Sequence, residues 1–564
     1  MSFQRTAAAL AALFLSSACT PGIHIHHEDR RIKGFNRTVE NERSAARSNA
    51  ELLKKYQDER LYHRDPNSPP QLCVAMSGGG IRSAAYNIGV LQGLHKLGVL
   101  PKVDILSSVS GGGYALSWFY LQQYYSQQHG QNVAVDELFD EQARFQTYLA
   151  DHGNLMYRTS SGIYEYGRSL LGWLVTWPMN LVANGIFDWR LNLNPLRHSY
   201  ENNIERVFHL VPDSTYGKPI NESWFWSSST VEPEGEAEFP QLRQFILDRG
   251  LPYFIINTTT AIDDDGWRYN SELSKSVYEF TPLHHGSDAF GYHSDNFPVN
   301  MSRAVSISGA AHDSTSLPGA RRQVAASLAN GDLGYHISNR HAEAITPWWM
   351  YSLPFPFYVI PHNVRDIHGP SIYLTDGGHS ENLAAYSVVR RLCKHIVMVD
   401  AEHDPDFQFE GLRRLQRRLA AELGVELRLP GVELRVPGQV FFDRSCPVLR
   451  GEVGEFPLAT SAGIDAKLSL NVTYIKLSMD TALSMDSAHP KKHPTTVSNY
   501  YKKHSGLKKT NWLGISSEDP FPQQPTSDQK FSDGQFRAYR DLGEFNTVNY
   551  FHTPGCASSA AAVR

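Results

Sequence analysis

The sequence predicts an α/β fold built on parallel strands, and two observations carry that prediction. From Leu72 onward, short apolar runs alternate with amphipathic helical patterns, the order that yields parallel strands joined by right-handed crossovers. Glycine-rich loops stand where two of those runs give way to helices, at the carboxyl edge where open α/β sheets bind ligands. Taken in order, 72–76 reads as a strand, 77–80 as a loop and 82–97 as an amphipathic helix. Residues 103–109 form the second strand and 112–125 its helix, while 253–258, 371–375 and 395–399 supply further strands. No internal repeat is visible.

The chain has 564 residues, 41% hydrophobic and 20% charged, a globular balance that excludes disorder and collagen-like repeats. With 53 basic and 58 acidic side chains the formal net charge is −5, and no basic stripe marks a nucleic-acid partner. Five cysteines include no CxxC pair, which points away from a zinc site or a disulfide framework. Cys73 in an apolar strand and Cys393 in a helical pattern read as buried packing residues. Cys446 and Cys556 could pair in an oxidising compartment. Asp263-Asp264-Asp265 reads as a turn, and no EF-hand-type loop implies calcium. No metal and no cofactor are therefore expected.

Residues 1–18 read as a secretory signal peptide, with Arg5, a nine-residue apolar run from Ala7 to Leu15, and a small-residue Ser16-Ser17-Ala18 ending. Nine residues fall well short of the about 20 that span a bilayer. The ending also resembles a bacterial lipobox, in which Cys19 is lipidated and the protein sits at the outer membrane or in the periplasm. Here Ser16 replaces the usual leucine. Residues 19–70 follow as a polar tether with a helix over 44–56, a histidine cluster (His24, His26, His27) and a proline-rich boundary at Pro70. Further on, the 19 uncharged residues of 169–187 have the length of a membrane span, interrupted by Pro178, Asn180 and Asn184. Tryptophans in this stretch and in 347–361 suit a membrane–water interface; ordinary core packing accounts for them equally well.

Three elements carry chemistry. Ser77-Gly78-Gly79-Gly80-Ile81-Arg82 opens a helix directly after a strand, so its backbone amides can hold an anion. It has neither a GxxxxGK[ST] lysine nor GxGxxG spacing, and an oxyanion hole needs the same geometry. Ser108-Val109-Ser110-Gly111-Gly112 fits a nucleophile elbow, with serine at the first glycine position. Asp376, followed by Gly377 and Gly378, ends a strand at the same sheet edge, where an aspartate can also cap the next helix.

In this order, SGGGIRSAAYNIGVLQGL, SSVSGGGY and TDGGHSENLAAY resemble the patatin-like phospholipases, a family that also includes the cytosolic phospholipase A2 catalytic domain. The likeness covers 72–404, with Asn257-Thr258-Thr259, Phe280-Thr281-Pro282 and 304–311 in support, and 521–543 resembles a bacterial branch. It implies a three-layer α/β/α fold with a central, mostly parallel sheet. The catalytic domain would cover 71–410, with an aromatic-rich cap inserted near 160–245 and a C-terminal extension over 411–564. The resemblance also implies a Ser–Asp dyad, with Ser110 as nucleophile and Asp376 as base. The amides of Gly78, Gly79 and Gly80 would hold the oxyanion, and Arg82 would bind a lipid phosphate or form a helix-start salt bridge. His379 tempts a Ser–His–Asp reading, but the family commonly carries a histidine there that is not the base.

The expected protein is an exported, lipid-anchored carboxylic ester hydrolase that cleaves phospholipid acyl esters at a membrane surface, with no cofactor and no nucleic-acid partner. An acyltransferase or neutral-ester lipase would use the same dyad. A non-catalytic lipid-binding lipoprotein and a nucleotide-binding protein are the readings from other classes. Ser110 precedes 169–187 and Asp376 follows it, so a single crossing there would separate the dyad. That stretch is expected to cap the site without spanning the bilayer.

Overall fold

The computed structural model describes residues 58–63, 65–140, 195–209, 237–261, 275–294, 296–312, 333–338, 371–430, 432–436, 439–454, 469–480, 492–504, 521–526, 529 and 531–553, with the short pieces 25–27, 145–146, 149, 189–191, 509–510 and 516–517. The signal peptide expected over 1–18, Cys19, the helix expected over 44–56, both aromatic stretches, the triple aspartate and Cys556 lie outside the described residues.

The elements follow the predicted alternation. Strand β1 (Leu72–Met76) leads into α1 (Gly80–Lys96), and β2 (Ile105–Val109) into α2 (Gly111–Gln128). After α3 (Pro195–Ile204) and α4 (Phe239–Arg249) come β3 (Tyr253–Ala261), β4 (Lys275–Phe280), β5 (His285–Ser287) and β6 (Gly291–His293). Helix α5 (Met301–Ser308) precedes β7 (Tyr335–Ser338), β8 (Ser371–Asp376), α6 (Tyr386–Arg390) and β9 (His395–Asp400). The C-terminal part holds α7 (Glu410–Arg418), β10 (Leu427–Arg428), β11 (Val448–Val453), β12 (Leu470–Lys476), α8 (Thr495–His504) and α9 (Asp533–Tyr550).

One 12-stranded sheet runs β10-β11-β12-β9-β1-β2-β3-β4-β5-β6, with β8 joined to β3 and β7 to β8. Its centre, β12-β9-β1-β2-β3, is parallel, and the flanking pairs are antiparallel. This is the α/β class the sequence predicted. β2 is buried along its whole length, and β1 from Cys73 onward, which is why both read as continuous apolar or small-residue runs without alternation. The extension is part of the same sheet, because β12 pairs with β9 in register from His395↔Asn471 to Asp400↔Lys476.

The reading of Cys73 and Cys393 as packing residues is corrected. Cys73 and Cys393 form a disulfide across 320 residues, and Cys446 is disulfide-bonded as well. Cys393 also lies beyond the end of α6, in the turn before β9. β1 and β9 are neighbours in register, so the sheet brings the two sulfurs together. Closing so long a loop restricts the unfolded chain and stabilises the fold by roughly 6 kcal/mol on the chain-entropy account.

The extension grips α1 closely. A Cβ on Gly89 would stand 1.8 Å from the Arg540 carbonyl oxygen, and one on Gly543 2.3 Å from that of Tyr86. Glycine at both positions lets the backbones of α1 and α9 touch. Elsewhere, Arg391 is buried between Glu59 and Glu279, donating to the first at 2.6 and 2.9 Å and to the second at 3.0 and 2.9 Å. Through Glu59 this ion triad ties the segment before β1 to β4 and to the turn after α6.

Candidate active site

The register of three strands builds the site. β2 lies against β3 as far as Val109↔Asn257. β8 comes from the opposite direction and ends at Asp376↔Thr258. Thr258 also pairs with Tyr278 of β4, so β8 must occupy the same edge of β3 that β2 has just left. The two strands therefore meet head-on, with Ser110 beyond the end of one and Asp376 closing the other. A straight continuation of β2 would collide with β8, and the chain turns away at Ser110 with φ 49° and ψ −121°. This is a strained conformation for a residue with a Cβ.

Surrounding hydrogen bonds fix that turn. The Ser110 amide donates to Ser308 Oγ at 2.8 Å, and Ser308 Oγ donates to the Asn257 carbonyl at 2.6 Å. The Asn257 side chain donates at 2.9 Å to both Ser107 Oγ and the Ser108 carbonyl, and accepts from Ser387 Oγ at 2.7 Å. Ser108, the departure from the glycine pattern, is buried and donates to the Ile255 carbonyl at 3.2 Å. Its hydroxyl thus has a partner inside the sheet. No local sequence pattern around Ser308 or Asn257 gives them this role.

The glycines of the three motifs converge because each faces another part of the site. A Cβ on Gly111 would meet the Gly80 carbonyl oxygen at 2.1 Å, and one on Gly112 the Met76 carbonyl oxygen at 2.3 Å. One on Gly377 would meet the Asn257 carbonyl oxygen at 2.3 Å, and one on Gly78 would stand 3.1 Å from Ser110 Cβ. The structure therefore brings Gly78, Gly79 and Gly80, Ser110 with Gly111 and Gly112, and Asp376 with Gly377 and Gly378 into one place. Ser110 and Asp376 are both buried. Asp376 Oδ1 accepts the Gly378 amide at 2.7 Å, the capping role the sequence allowed, and His379 ends the short 3-10 turn that follows.

The amides of the three glycines are not equivalent. The Gly78 amide donates to the Asn382 carbonyl at 2.9 Å. Gly79 and Gly80, at φ 137° and 62°, stand at the start of α1, where helix amides have no partner of their own. Arg82 also departs from expectation. Its guanidinium is buried and donates to the Ala401 carbonyl at 3.1 Å, Thr526 Oγ1 at 3.0 Å and the Gln524 carbonyl. A lipid phosphate would have to displace these partners. Gln529 adds a further contact, accepting the Ile81 amide at 3.2 Å. The extension thus braces the glycine loop.

Near Asp376 the phenol of buried Tyr114 bonds to that of partly buried Tyr200, and Tyr200 donates to the Gly309 carbonyl at 2.6 Å. Removal from water raises both hydroxyls, the Tyr114 phenol adds to the rise at Tyr200, and the Asp376 carboxylate adds a smaller push to each, so both stay neutral. On the other side, Lys476 lies between Asp400 at 2.8 Å and Asp404 at 2.9 Å.

No family model matches the chain. It is similar to mouse cytosolic phospholipase A2 gamma, at 26% identity over 233 residues that make up 39% of this chain. The match spans 28% of that relative's length. Among solved structures, human GIVD cytosolic phospholipase A2 aligns with 96% of this chain and 68% of its own, at 14% identity and a TM-score of 0.49. The same human protein in complex with methyl gamma-linolenyl fluorophosphonate and terbium chloride aligns with a TM-score of 0.47 and 15% identity, covering 96% of this chain and 65% of that one. The sequence match is to the relation that the three motifs had indicated.

Proposed function

We propose that the chain is an exported, lipid-anchored serine acyl hydrolase of the patatin-like phospholipase A or lysophospholipase type, with Ser110 as nucleophile and Asp376 as base. The observation that carries this reading is the head-on meeting of β2 and β8 against β3, which leaves both residues at one point of the sheet edge. A serine hydroxyl attacks an ester only once a base accepts its proton, and a carboxylate withdrawn from water can do so.

In the proposed reaction Ser110 Oγ attacks the acyl carbonyl as its proton passes to Asp376. The amides of Gly79 and Gly80 receive the oxyanion, each contributing about 3–4 kcal/mol. Collapse expels the lipid alcohol, which takes the proton from Asp376. Water, deprotonated by Asp376, then attacks the acyl-Ser110 ester, and Asp376 returns the proton to Ser110 Oγ as the fatty acid leaves. In this scheme Arg82 braces the loop. Phospholipid is the favoured substrate because the sequence match is to a phospholipase A2. Export rests on residues 1–18 and anchoring on Cys19, and the disulfide-bonded state of Cys73, Cys393 and Cys446 supports an oxidising compartment.

The test is fatty-acid release from mixed phospholipid vesicles by the purified protein beside Ser110→Ala and Asp376→Asn. Both variants are expected to keep the wild-type melting temperature and lose at least 1,000-fold in rate, on the order of losses in comparable serine enzymes. Activity surviving in Ser110→Ala would overturn the nucleophile. Carbonate extraction of the Cys19→Ala protein tests the anchor, and its retention in the membrane pellet would refute the interfacial-cap reading.

A further inference from the structure

Between the glycine loop and the aspartate loop sits a side chain that neither motif reading assigned. Asn382 accepts the Gly78 amide with its backbone carbonyl. Its side-chain oxygen lies where a Cβ on Gly78 would come within 2.2 Å of it and one on Gly378 within 2.5 Å. The carboxamide is therefore wedged between the two glycines, one adjoining Ser110 and the other holding Asp376 Oδ1 through its amide. A wedge of this kind sets the spacing of the two loops only if its own orientation is fixed.

Glu402 supplies that orientation. Its Oε1 accepts Asn382 Nδ2 at 2.5 Å, which turns the amide oxygen toward the two glycines. Its Oε2 accepts the Gly411 amide in the first turn of α7 at 3.1 Å, and its own backbone amide donates to Asp400 Oδ1 at 3.0 Å. A Cβ on Gly411 would stand 2.2 Å from the carboxylate, so the glutamate has little room to swing. We propose that Glu402 is a positioning residue of the reaction, acting through Asn382 to hold the oxyanion loop and the base loop at their working separation. The inference rests on the Ser110–Asp376 reading and deepens it.

The electrostatic surroundings are consistent with a group that matters near neutral pH. Burial, and then the Asp400 carboxylate, push the Glu402 carboxyl up to about 7, against the lowering influence of Lys476, the Asn382 hydrogen bond and Arg414. Arg82 of α1 and Tyr474 of β12 also feel its charge, as does Lys476, which Asp404 holds from the loop before α7.

The experiment uses the full-length protein and phospholipid vesicles, with four variants beside wild type: Glu402→Leu, Glu402→Gln, Asn382→Ala and the Glu402→Leu/Asn382→Ala double. Glu402→Leu is expected to lower kcat at least tenfold with KM within twofold. Glu402→Gln, which keeps an oxygen for Asn382 Nδ2, should stay within threefold of wild type. Asn382→Ala should match Glu402→Leu, and the double variant should be no worse than either single one, because both remove the same wedge. Additive losses, or a kcat for Glu402→Leu within twofold of wild type, would overturn the proposal. Should Glu402→Leu fail to fold, Asn382→Ala decides the matter in its place: an unchanged kcat refutes the wedge. An inactive wild type, or an active Ser110→Ala, would instead sink the parent reading of the dyad.

Discussion

At Ser110 the packing is made possible by side chains that are absent. Gly111 rests on the backbone of Gly80, Gly112 on that of Met76, and Gly377 on that of Asn257. At Arg391 the packing depends on what is present, one guanidinium between two buried carboxylates. Both regions are fully enclosed, yet the first has no room for an added methyl group and the second cannot tolerate a lost charge. Geometry that must be held to fractions of an ångström is built from backbone, which has few ways to relax. Attachment of one segment to another can be left to long side chains with several hydrogen bonds each.

The largest effect should come from the charged region. Arg391→Met leaves Glu59 and Glu279 buried without their partner and is expected to cost about 3–5 kcal/mol of folding stability in a denaturant titration. The triple variant Glu59→Gln/Glu279→Gln/Arg391→Met should recover at least half of that loss. No recovery would mean that packing, not charge, holds this region. Next comes Gly112→Ala, whose Cβ would meet the Met76 carbonyl. It is expected to lower kcat by about 100-fold, the scale of a displaced catalytic group, and to slow labelling of Ser110 by a fluorophosphonate to match. Wild-type kinetics would show that the glycine contact is incidental.

Two smaller effects sharpen the contrast. Gly89→Ala forces α1 away from the Arg540 carbonyl and should cost roughly 1–3 kcal/mol by overpacking, read from thermal melts, far from the reacting atoms. His209 tests the response to pH. It is buried between Ser117 of α2, at 2.9 Å, and Ser302 of α5, at 3.1 Å, and burial depresses its pKa to about 3. The unfolded chain binds this proton below an ordinary histidine value near 6.5, and the folded chain does not. Stability from this group is therefore complete above about pH 6.5 and falls as pH drops, by about 2 kcal/mol at pH 5. His209→Gln should flatten that part of the stability–pH curve; an unchanged slope would show that His209 does not carry it.

The central strands were legible in the sequence because burial on both faces writes a continuous run, as in Cys73–Met76 and Ile105–Val109. The glycine clusters were legible because close backbone approach admits almost no other residue. Asn382, Glu402, Ser308 and Gln529 were not assigned roles, since each acts on a partner that no local period marks. The Gln529–Ile81 contact, for example, bridges 448 positions. The cysteines failed for the same reason: Cys73 reads as packing until β9 is set beside β1. Gly78 and Arg82 were recognised as motif residues. What their donors bind depends on Asn382, Ala401, Gln524 and Thr526, all of them distant in the chain.

That distance has a consequence for the order of events during synthesis. Beside the Ala401 carbonyl, the braces on Arg82 and Ile81 come from Gln524, Thr526 and Gln529, more than 440 positions after the loop they steady. While the chain is still emerging from the ribosome, the serine, the aspartate and every motif glycine already exist, but the frame around the glycine loop does not. A product clipped before residue 520 would carry the whole signature and lack these supports. Bracing of the glycine loop therefore waits until residues 524–529 have been made.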